Sequence, residues 1–66
     1  MYPNLKAEMA RRKVTQSELA KQLNITIGTM SLKLNGKSNF DLDECTKIKS
    51  FLGTEKSLEY LFKKED

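Results

Sequence analysis

Apolar residues recur at spacings of three and four along most of the chain, with polar residues between them. This period is typical of helices that bury one face against a common core. Five segments carry the pattern, with apolar residues at Leu5 and Met9; Leu19, Ala20 and Leu23; Met30 and Leu34; Leu42, Cys45, Ile48, Phe51 and Leu52; and Leu58, Leu61 and Phe62. The pattern predicts an all-α fold of five helices that occupies residues 1–66 as a single domain.

The second and third segments have the clearest boundaries. Thr15 can cap a helix, Glu18 three residues later completes a capping box, and Asn24 can adopt the left-handed conformation that ends a helix. Thr26 can cap the next helix, which Asn35–Gly36 ends. The sequence therefore predicts two short helices joined by a turn of only three or four residues.

Similar signals bound the first and fourth helices. The first is expected to begin at a cap on Asn4 and to continue to about Arg12. Asp41 and Glu44 form a second capping box at the start of the fourth helix, and Gly53 ends it. We expect all the apolar residues of that helix to share one broad buried face.

The length of the chain limits it to one small core, without room for a second domain. Hydrophobic residues make up 38% of the chain and charged residues 32%, a balance typical of globular proteins. No apolar run approaches the roughly 20 residues that a membrane-spanning helix needs, and the first residues do not form a secretory signal. We therefore expect a cytoplasmic protein without a membrane partner.

The residues that catalytic sites usually need are scarce. The chain has one cysteine, Cys45, and no histidine, which excludes an internal disulfide, a Cys/His zinc site and a histidine-activated nucleophile. Asp41, Asp43 and Glu44 do not have the spacing of a calcium loop, and the helix dipole favours acids in a first turn. Cys45 falls in an apolar stripe and is interpreted as a core residue. The sequence indicates no enzyme activity, no cofactor and no small-molecule ligand.

Positive charge is concentrated in the first part of the chain. Residues 1–37 hold seven Lys or Arg and two acidic residues, whereas residues 38–66 hold five and seven. The net charges of +5 and −2 place positive potential around the two central helices, as binding to a phosphate backbone requires. Two readings remain for Arg11, Arg12 and Lys13: they complement the dipole of the first helix, or they contact nucleic-acid phosphates.

The two central helices resemble the helix-turn-helix of the Cro/C1-type family, the Cro and repressor proteins of bacteria and phages. The resemblance rests on TQSELA at 15–20, on Ile25–Thr26 after the turn and on NGK at 35–37. It includes the small Ala20 where the helices cross and Gly36 at the expected distance. Since family members place one helix before this motif and two after it, the resemblance implies a compact, five-helix, lambda-repressor-like domain in a short single-domain form.

The resemblance also implies a function. Family members of this form are sequence-specific transcriptional regulators that bind an operator in double-stranded DNA as homodimers, and a Cro-like or phage-type repressor is the reading favoured here. The helix 26–35 would enter the major groove, while Gln16 matches a position that holds the phosphate backbone. The residues assigned to DNA contact are Gln16, Ser17, Thr26, Ile27, Gly28, Thr29, Ser31, Leu32, Lys33, Asn35, Lys37, Ser38 and Asn39.

The second helix of the motif departs from the family on its outward face. Positions that match Ile27, Gly28 and Leu32 often carry Gln, Arg, Ser or Asn in family members. One explanation is a close backbone approach at Gly28, with contacts between Ile27 or Leu32 and thymine methyl groups. Another is that polar neighbours such as Ser31 and Lys33 make the contacts, with Lys33 reaching guanine or a phosphate. A third is that Ile27 belongs largely to the core.

The connector after the second helix of the motif is polar and basic. Lys37, Ser38 and Asn39 match the loop with which family members hold the phosphate backbone. Phe40 is the one apolar residue of this connector. We expect it to anchor the loop in the core.

The last helix leaves one choice open. Ser57 can cap it, and Leu58, Leu61 and Phe62 share one face. These residues either close the core or, together with Tyr60, leave a surface for a dimer contact. The sequence alone supports both arrangements.

Two other functions compete with DNA binding. A small helical module can also bind a protein through its apolar surface at Ile27 and Leu32, as an antitoxin or anti-regulator would. A weaker alternative is a metal-dependent catalyst built on Asp41, Asp43 and Glu44. The basic first part of the chain favours DNA over a protein partner.

Overall fold

The computed structural model describes residues 1–65, and Asp66 lies outside the described part. The helices are α1 (Pro3–Arg11), α2 (Gln16–Leu23), α3 (Ile27–Leu34), α4 (Leu42–Leu52) and α5 (Leu58–Leu61). No strand occurs within residues 1–65. The prediction of an all-α fold with five helices is confirmed. Within the same residues, no helix is long and apolar enough to cross a membrane.

Side-chain hydrogen bonds confirm the predicted starts of α2, α4 and α5. The Thr15 hydroxyl accepts a hydrogen bond from the Glu18 backbone N–H at 3.1 Å, and the Glu18 carboxylate accepts one from the Thr15 N–H at 2.9 Å. Asp41 and Glu44 make the same reciprocal pair, at 2.8 and 3.0 Å. Ser57 caps α5 through its hydroxyl. Each bond satisfies a backbone donor that has no partner within its helix.

The prediction of a cap on Asn4 is wrong. The helix α1 begins at Pro3, with Tyr2 at the cap position and no side-chain hydrogen bond there. Proline suits this position because its ring fixes φ at a helical value and it has no N–H to satisfy. Asn4 instead donates from Nδ2 to the Tyr60 carbonyl oxygen at 2.8 Å, which ties α1 to α5.

Residues in the left-handed conformation follow each of the first four helices. Asn24 and Gly53 have φ values of 58° and 66°, which confirms both predicted stops. Lys13 follows α1 with φ of 56°, although a lysine gives no signal for this conformation. The Val14 N–H then donates to the Met9 carbonyl oxygen at 2.9 Å, and this bond closes the helix end.

Each of the five helices has one fully buried apolar side chain, and those of α1 to α4 belong to one core. These residues are Leu5, Leu19, Met30, Ile48 and Leu61. The partly buried side chains of Val14, Ile25, Phe40, Phe51 and Phe62 pack against the core. Leu61 is fully buried and cannot reach a second copy, so its assignment as a possible dimer contact is corrected.

Leu42 does not belong to the buried face of α4 that the sequence predicted. Its side chain is 72% exposed, whereas Ile48 and Leu52 are buried. At about 100° per residue, Leu42 lies roughly 100° around the helix from the mean direction of these two residues. Leu42 therefore fits the spacing of three and four residues but lies outside the face of α4 that is buried.

Cys45 was predicted to be a core residue, but its side chain is only half-buried. Burial raises the pKa of its thiol, and the nearby carboxylates of Asp41 and Glu44 raise it further. The thiol is therefore protonated at neutral pH and is a poor nucleophile.

Three aromatic rings join the beginning and the end of the chain to the loop after α3. The rings of Tyr2, Phe40 and Phe62 meet edge to face, with centroids 5.2 to 5.9 Å apart. Such pairs stabilise a fold beyond the apolar area they bury. The prediction that Phe40 anchors the loop is confirmed, whereas the burial of Tyr2 was not predicted.

Glu8 is a buried charge that the sequence analysis did not identify. Its carboxylate pairs with Arg11 and also with Arg12, whose Nε lies 3.3 Å from Oε1. Spacings of three and four place both guanidinium groups over the same carboxylate. Arg11 and Arg12 therefore have a role that neither reading of the basic cluster foresaw. Burial raises the pKa of Glu8, but hydrogen bonds with Thr54 and Arg12 and the charges of the two arginines lower it more, to below its usual range.

Acid should destabilise the fold through Glu8. A carboxyl group with a lowered folded-state pKa stabilises the fold above its unfolded pKa, about 4.3, and this contribution disappears as the pH falls through the folded pKa. We expect Tm to hold between about pH 7 and 5 and to fall below about pH 4. Glu8→Gln should lower Tm at pH 7 by several degrees and flatten the acid limb of the curve. An acid limb that is the same in both proteins would contradict this role.

Candidate nucleic-acid interface

The helices α2 and α3 are joined by three residues, which confirms the predicted short turn. After the left-handed Asn24, the Ile25 N–H donates to the Ala20 carbonyl oxygen at 3.0 Å. Ile25 packs against the core beside the buried Ala20. The turn is therefore fixed by its backbone bonds and by an apolar anchor, and α3 has a defined direction relative to α2.

The helix α3 has one buried and one exposed face. Met30 and Leu34 are buried, while Ile27 and Leu32 are 53% and 52% exposed. The predicted orientation of Met30, Leu34 and Leu32 is confirmed, and the alternative that Ile27 lies largely in the core is wrong. Ile27 is the first residue of α3 and lies one turn before Met30.

Polar side chains stand beside these exposed apolar residues. The Thr26 hydroxyl caps α3 by accepting a hydrogen bond from the Thr29 N–H at 3.1 Å. One turn further on, Asn35 Nδ2 lies 3.4 Å from the Ser31 hydroxyl oxygen. Gly28, in the first turn, is exposed. The outward face of α3 thus combines hydroxyl and amide groups with two aliphatic side chains.

The beginning of α2 lies against the beginning of α3. Gln16 is the first residue of α2, and its Nε2 lies 3.5 Å from the Ile27 carbonyl oxygen. Ser17 next to it is exposed. Backbone N–H groups at helix starts are well suited to anions. The structure therefore brings the predicted phosphate-binding residues of α2 next to the predicted groove-facing end of α3.

The loop after α3 starts from a fixed position. Gly36 adopts φ of 78°, and the N–H groups of Lys37 and Ser38 both donate to the Leu32 carbonyl oxygen, at 2.9 and 3.3 Å. The side chains of Lys37 and Asn39 are exposed. This loop presents a cation and an amide near the end of the exposed face of α3.

Lys33 does not lie on the exposed face of α3. Its Nζ donates to the Asn39 carbonyl oxygen at 2.7 Å and to the Glu44 carboxylate at 3.0 Å. The interpretation of Lys33 as a cation that reaches guanine or a phosphate is corrected by this placement. Eleven residues separate Lys33 from Glu44, so no local pattern in the sequence signalled the pair.

The candidate dimer surface on α5 is smaller than the sequence suggested. Leu61 is buried, and Phe62 belongs to the aromatic cluster with Tyr2. Tyr60 is exposed, with the Lys56 ammonium 5.3 Å from its ring centroid. Leu58 is half-buried. Tyr60 and the accessible part of Leu58 remain from the original set.

Sequence comparison adds an independent finding to this geometry. A family model described as the Cro/C1-type HTH DNA-binding domain matches residues 4–55, which include the whole of α2, α3 and α4. Comparison with curated proteins and with solved structures gave no match.

Proposed function

Since the chain belongs to the Cro/C1-type helix-turn-helix DNA-binding domain family, we propose that it recognises a specific operator in double-stranded DNA and represses transcription by occupying it. The observation that carries the proposal is the exposed face of α3 beside the start of α2. An α-helix fits the major groove, and a second helix packed across it can hold the backbone. The mechanism needs no metal and no cofactor.

Two parts of the surface would hold the phosphates. Gln16 and Ser17 lie at the start of α2, while Lys37, Ser38 and Asn39 form the loop after α3. These contacts would set the position of the protein on DNA without reading its sequence. Lys33 is excluded from this set because its ammonium is paired with Glu44.

Sequence reading would come from the outward face of α3. Ile27 and Leu32 can contact thymine methyl groups, since about half of each side chain is exposed. Thr29, Ser31 and Asn35 supply hydrogen-bonding groups on or beside the same face. We therefore expect an operator half-site in which thymine methyl groups contribute to recognition, in place of the bidentate contacts that Arg or Gln would make.

The size of the domain supports the proposal that it binds as a homodimer. Its extents are 26 × 25 × 21 Å, whereas half-sites one helical turn apart are separated by about 34 Å. One copy therefore covers one half-site. Tyr60 and Leu58 on α5 are the residues we assign to the contact between two copies.

Titration of labelled duplexes, selected from a random pool, tests the function directly. At several salt concentrations, the logarithm of the binding constant should fall with the logarithm of salt concentration, by about 0.9 for each phosphate contact. A duplex bound with salt-independent affinity, or no binding at low salt, would overturn the proposal. The apolar face of α3 would then be better explained by a protein partner, as in an antitoxin or anti-regulator.

Two substitutions separate backbone contacts from sequence reading. Lys37→Ala should weaken binding to all duplexes about equally and make the salt dependence shallower by about 0.9 for each bound subunit, because each subunit loses one phosphate contact. Leu32→Ala should change the preference among duplexes and leave Tm nearly unchanged, because the side chain is half exposed. If Leu32→Ala unfolds the domain, the assignment of the α3 faces is wrong.

A further inference from the structure

The Lys33 side chain extends from α3 to the point where the loop after α3 meets α4, and its ammonium contacts both the loop and α4. Its Nζ is 2.7 Å from the Asn39 carbonyl oxygen, 3.0 Å from Glu44 Oε1 and 5.7 Å from the centroid of the Phe40 ring. The Lys33 and Glu44 side chains are only 12% and 18% exposed. Solvent screens this pair less than it screens a surface ion pair, so the pair constrains its surroundings more strongly.

The contacts of Lys33 complete a set that holds the loop at both ends. At the first end, the Leu32 carbonyl oxygen accepts hydrogen bonds from the Lys37 and Ser38 N–H groups. At the second end, the Asn39 carbonyl oxygen accepts one from Lys33. The Leu32 carbonyl and the Lys33 side chain both belong to the end of α3. The position of the loop is therefore tied to the helix whose exposed face would contact the bases.

Glu44 links the same ammonium to the start of α4. The oxygen atom that Lys33 contacts, Oε1, also accepts the Asp41 N–H of the capping box, at 3.0 Å. The Glu44 carboxylate thus accepts hydrogen bonds both from the lysine that holds the end of the loop and from the backbone at the start of α4. The loop is held between two helices rather than against one.

We propose that Lys33 is a positioning residue, which orders the loop carrying Lys37 and Asn39 before DNA arrives and does not itself touch DNA. The proposal rests on the proposed function. Its physical basis is that a loop already held in its bound conformation loses little conformational entropy on binding. Removal of the Lys33 ammonium should therefore weaken DNA binding although every phosphate-contacting group remains.

The first test uses the protein without DNA. Lys33→Met keeps the length of the side chain and removes the ammonium. Amide hydrogen exchange measured by NMR should become about ten-fold faster at Lys37 and Ser38, because the far end of the loop loses its hydrogen bond to the Lys33 ammonium. Lys33→Arg should restore most of the protection. Lys47→Met makes the same charge change on an exposed lysine of α4 and should leave these amides unaffected.

A second variant tests whether the loss of the ion pair, and not a general loss of stability, causes the faster exchange. Glu44→Gln removes the charge of the partner, and glutamine can still accept the Asp41 N–H in a capping box. It should also accelerate exchange at Lys37 and Ser38. The double variant Lys33→Met, Glu44→Gln should exchange no faster than the more affected single variant, because the two side chains act as one unit.

Titration with an operator duplex completes the test. Lys33→Met should lower affinity about ten-fold and leave the salt dependence unchanged, whereas Lys37→Ala should make it shallower. A shallower salt dependence in Lys33→Met, with normal amide exchange, would show a direct phosphate contact and overturn the proposal. Normal exchange and normal affinity in Lys33→Met would overturn it as well. Absence of DNA binding by the unaltered protein would overturn the proposed function instead, whatever the exchange data show.

Discussion

Leu19→Ala is expected to unfold much of the protein at physiological temperature. Leu19 is fully buried, and truncation of such a leucine costs about 2–5 kcal/mol through lost burial and the cavity left behind. A domain of this length has a total stability of about 3–10 kcal/mol. One substitution can therefore remove most of it. Thermal unfolding followed by circular dichroism at 222 nm measures the effect as a lower Tm.

Leu42→Ala is the matched control for that substitution. It removes the same atoms from a leucine that is 72% exposed, so the free energy of unfolding should change by only about 0.5 kcal/mol. Similar losses of stability in the two variants would mean that Leu42 is buried in solution. The packing of α4 described above would then be wrong.

Gly28→Glu should abolish operator binding and stabilise the fold. A Cβ atom at Gly28 would meet only the Thr26 hydroxyl oxygen, at 4.0 Å, so the chain itself has room for a side chain here. Replacement of a helical glycine typically stabilises by about 0.4–1 kcal/mol, and an acid in the first turn also suits the helix dipole. Against DNA phosphates, the same carboxylate should lower affinity by about 100-fold or more.

Two further variants separate the causes of this loss. Gly28→Ala adds only a methyl group and should give an intermediate loss if the backbone of α3 approaches the DNA closely. Gln22→Glu makes the same charge change on an exposed residue near the far end of α2 and should have little effect. Thermal unfolding of all three variants measures the change in stability, and duplex titration measures the change in affinity for DNA. Operator binding by Gly28→Glu at the affinity of the unaltered protein would show that the first turn of α3 lies outside the groove.

The helix boundaries were predictable because the groups that set them are close in sequence. Thr15 and Glu18 are three residues apart, and so are Asp41 and Glu44. Asn24 and Gly53 end their helices through their own backbone conformations. Each of these signals involves only residues a few positions apart, so it can be identified from the sequence alone.

The errors concern residues whose environment depends on distant parts of the chain. The sequence predicts a cap at Asn4, but the partner of its side chain is the Tyr60 carbonyl, 56 residues away. The charge of Lys33 suits DNA, but the structure pairs it with Glu44, eleven residues away. Leu61 belonged to a stripe that was equally consistent with a core and with a dimer contact. Periodicity identifies one side of a helix, but only the packed fold determines what that side meets.

The shared core has a consequence for attempts to separate the helix-turn-helix from the rest of the chain. Leu5 from α1 and Ile48 from α4 pack in the same interior as Leu19 and Met30. A synthetic peptide of residues 15–37 would leave its apolar side chains in water, and two helices of eight residues are too short to persist alone. The motif therefore cannot be transplanted as an autonomous fragment, and a graft onto another scaffold must also supply an apolar surface that covers Leu19 and Met30.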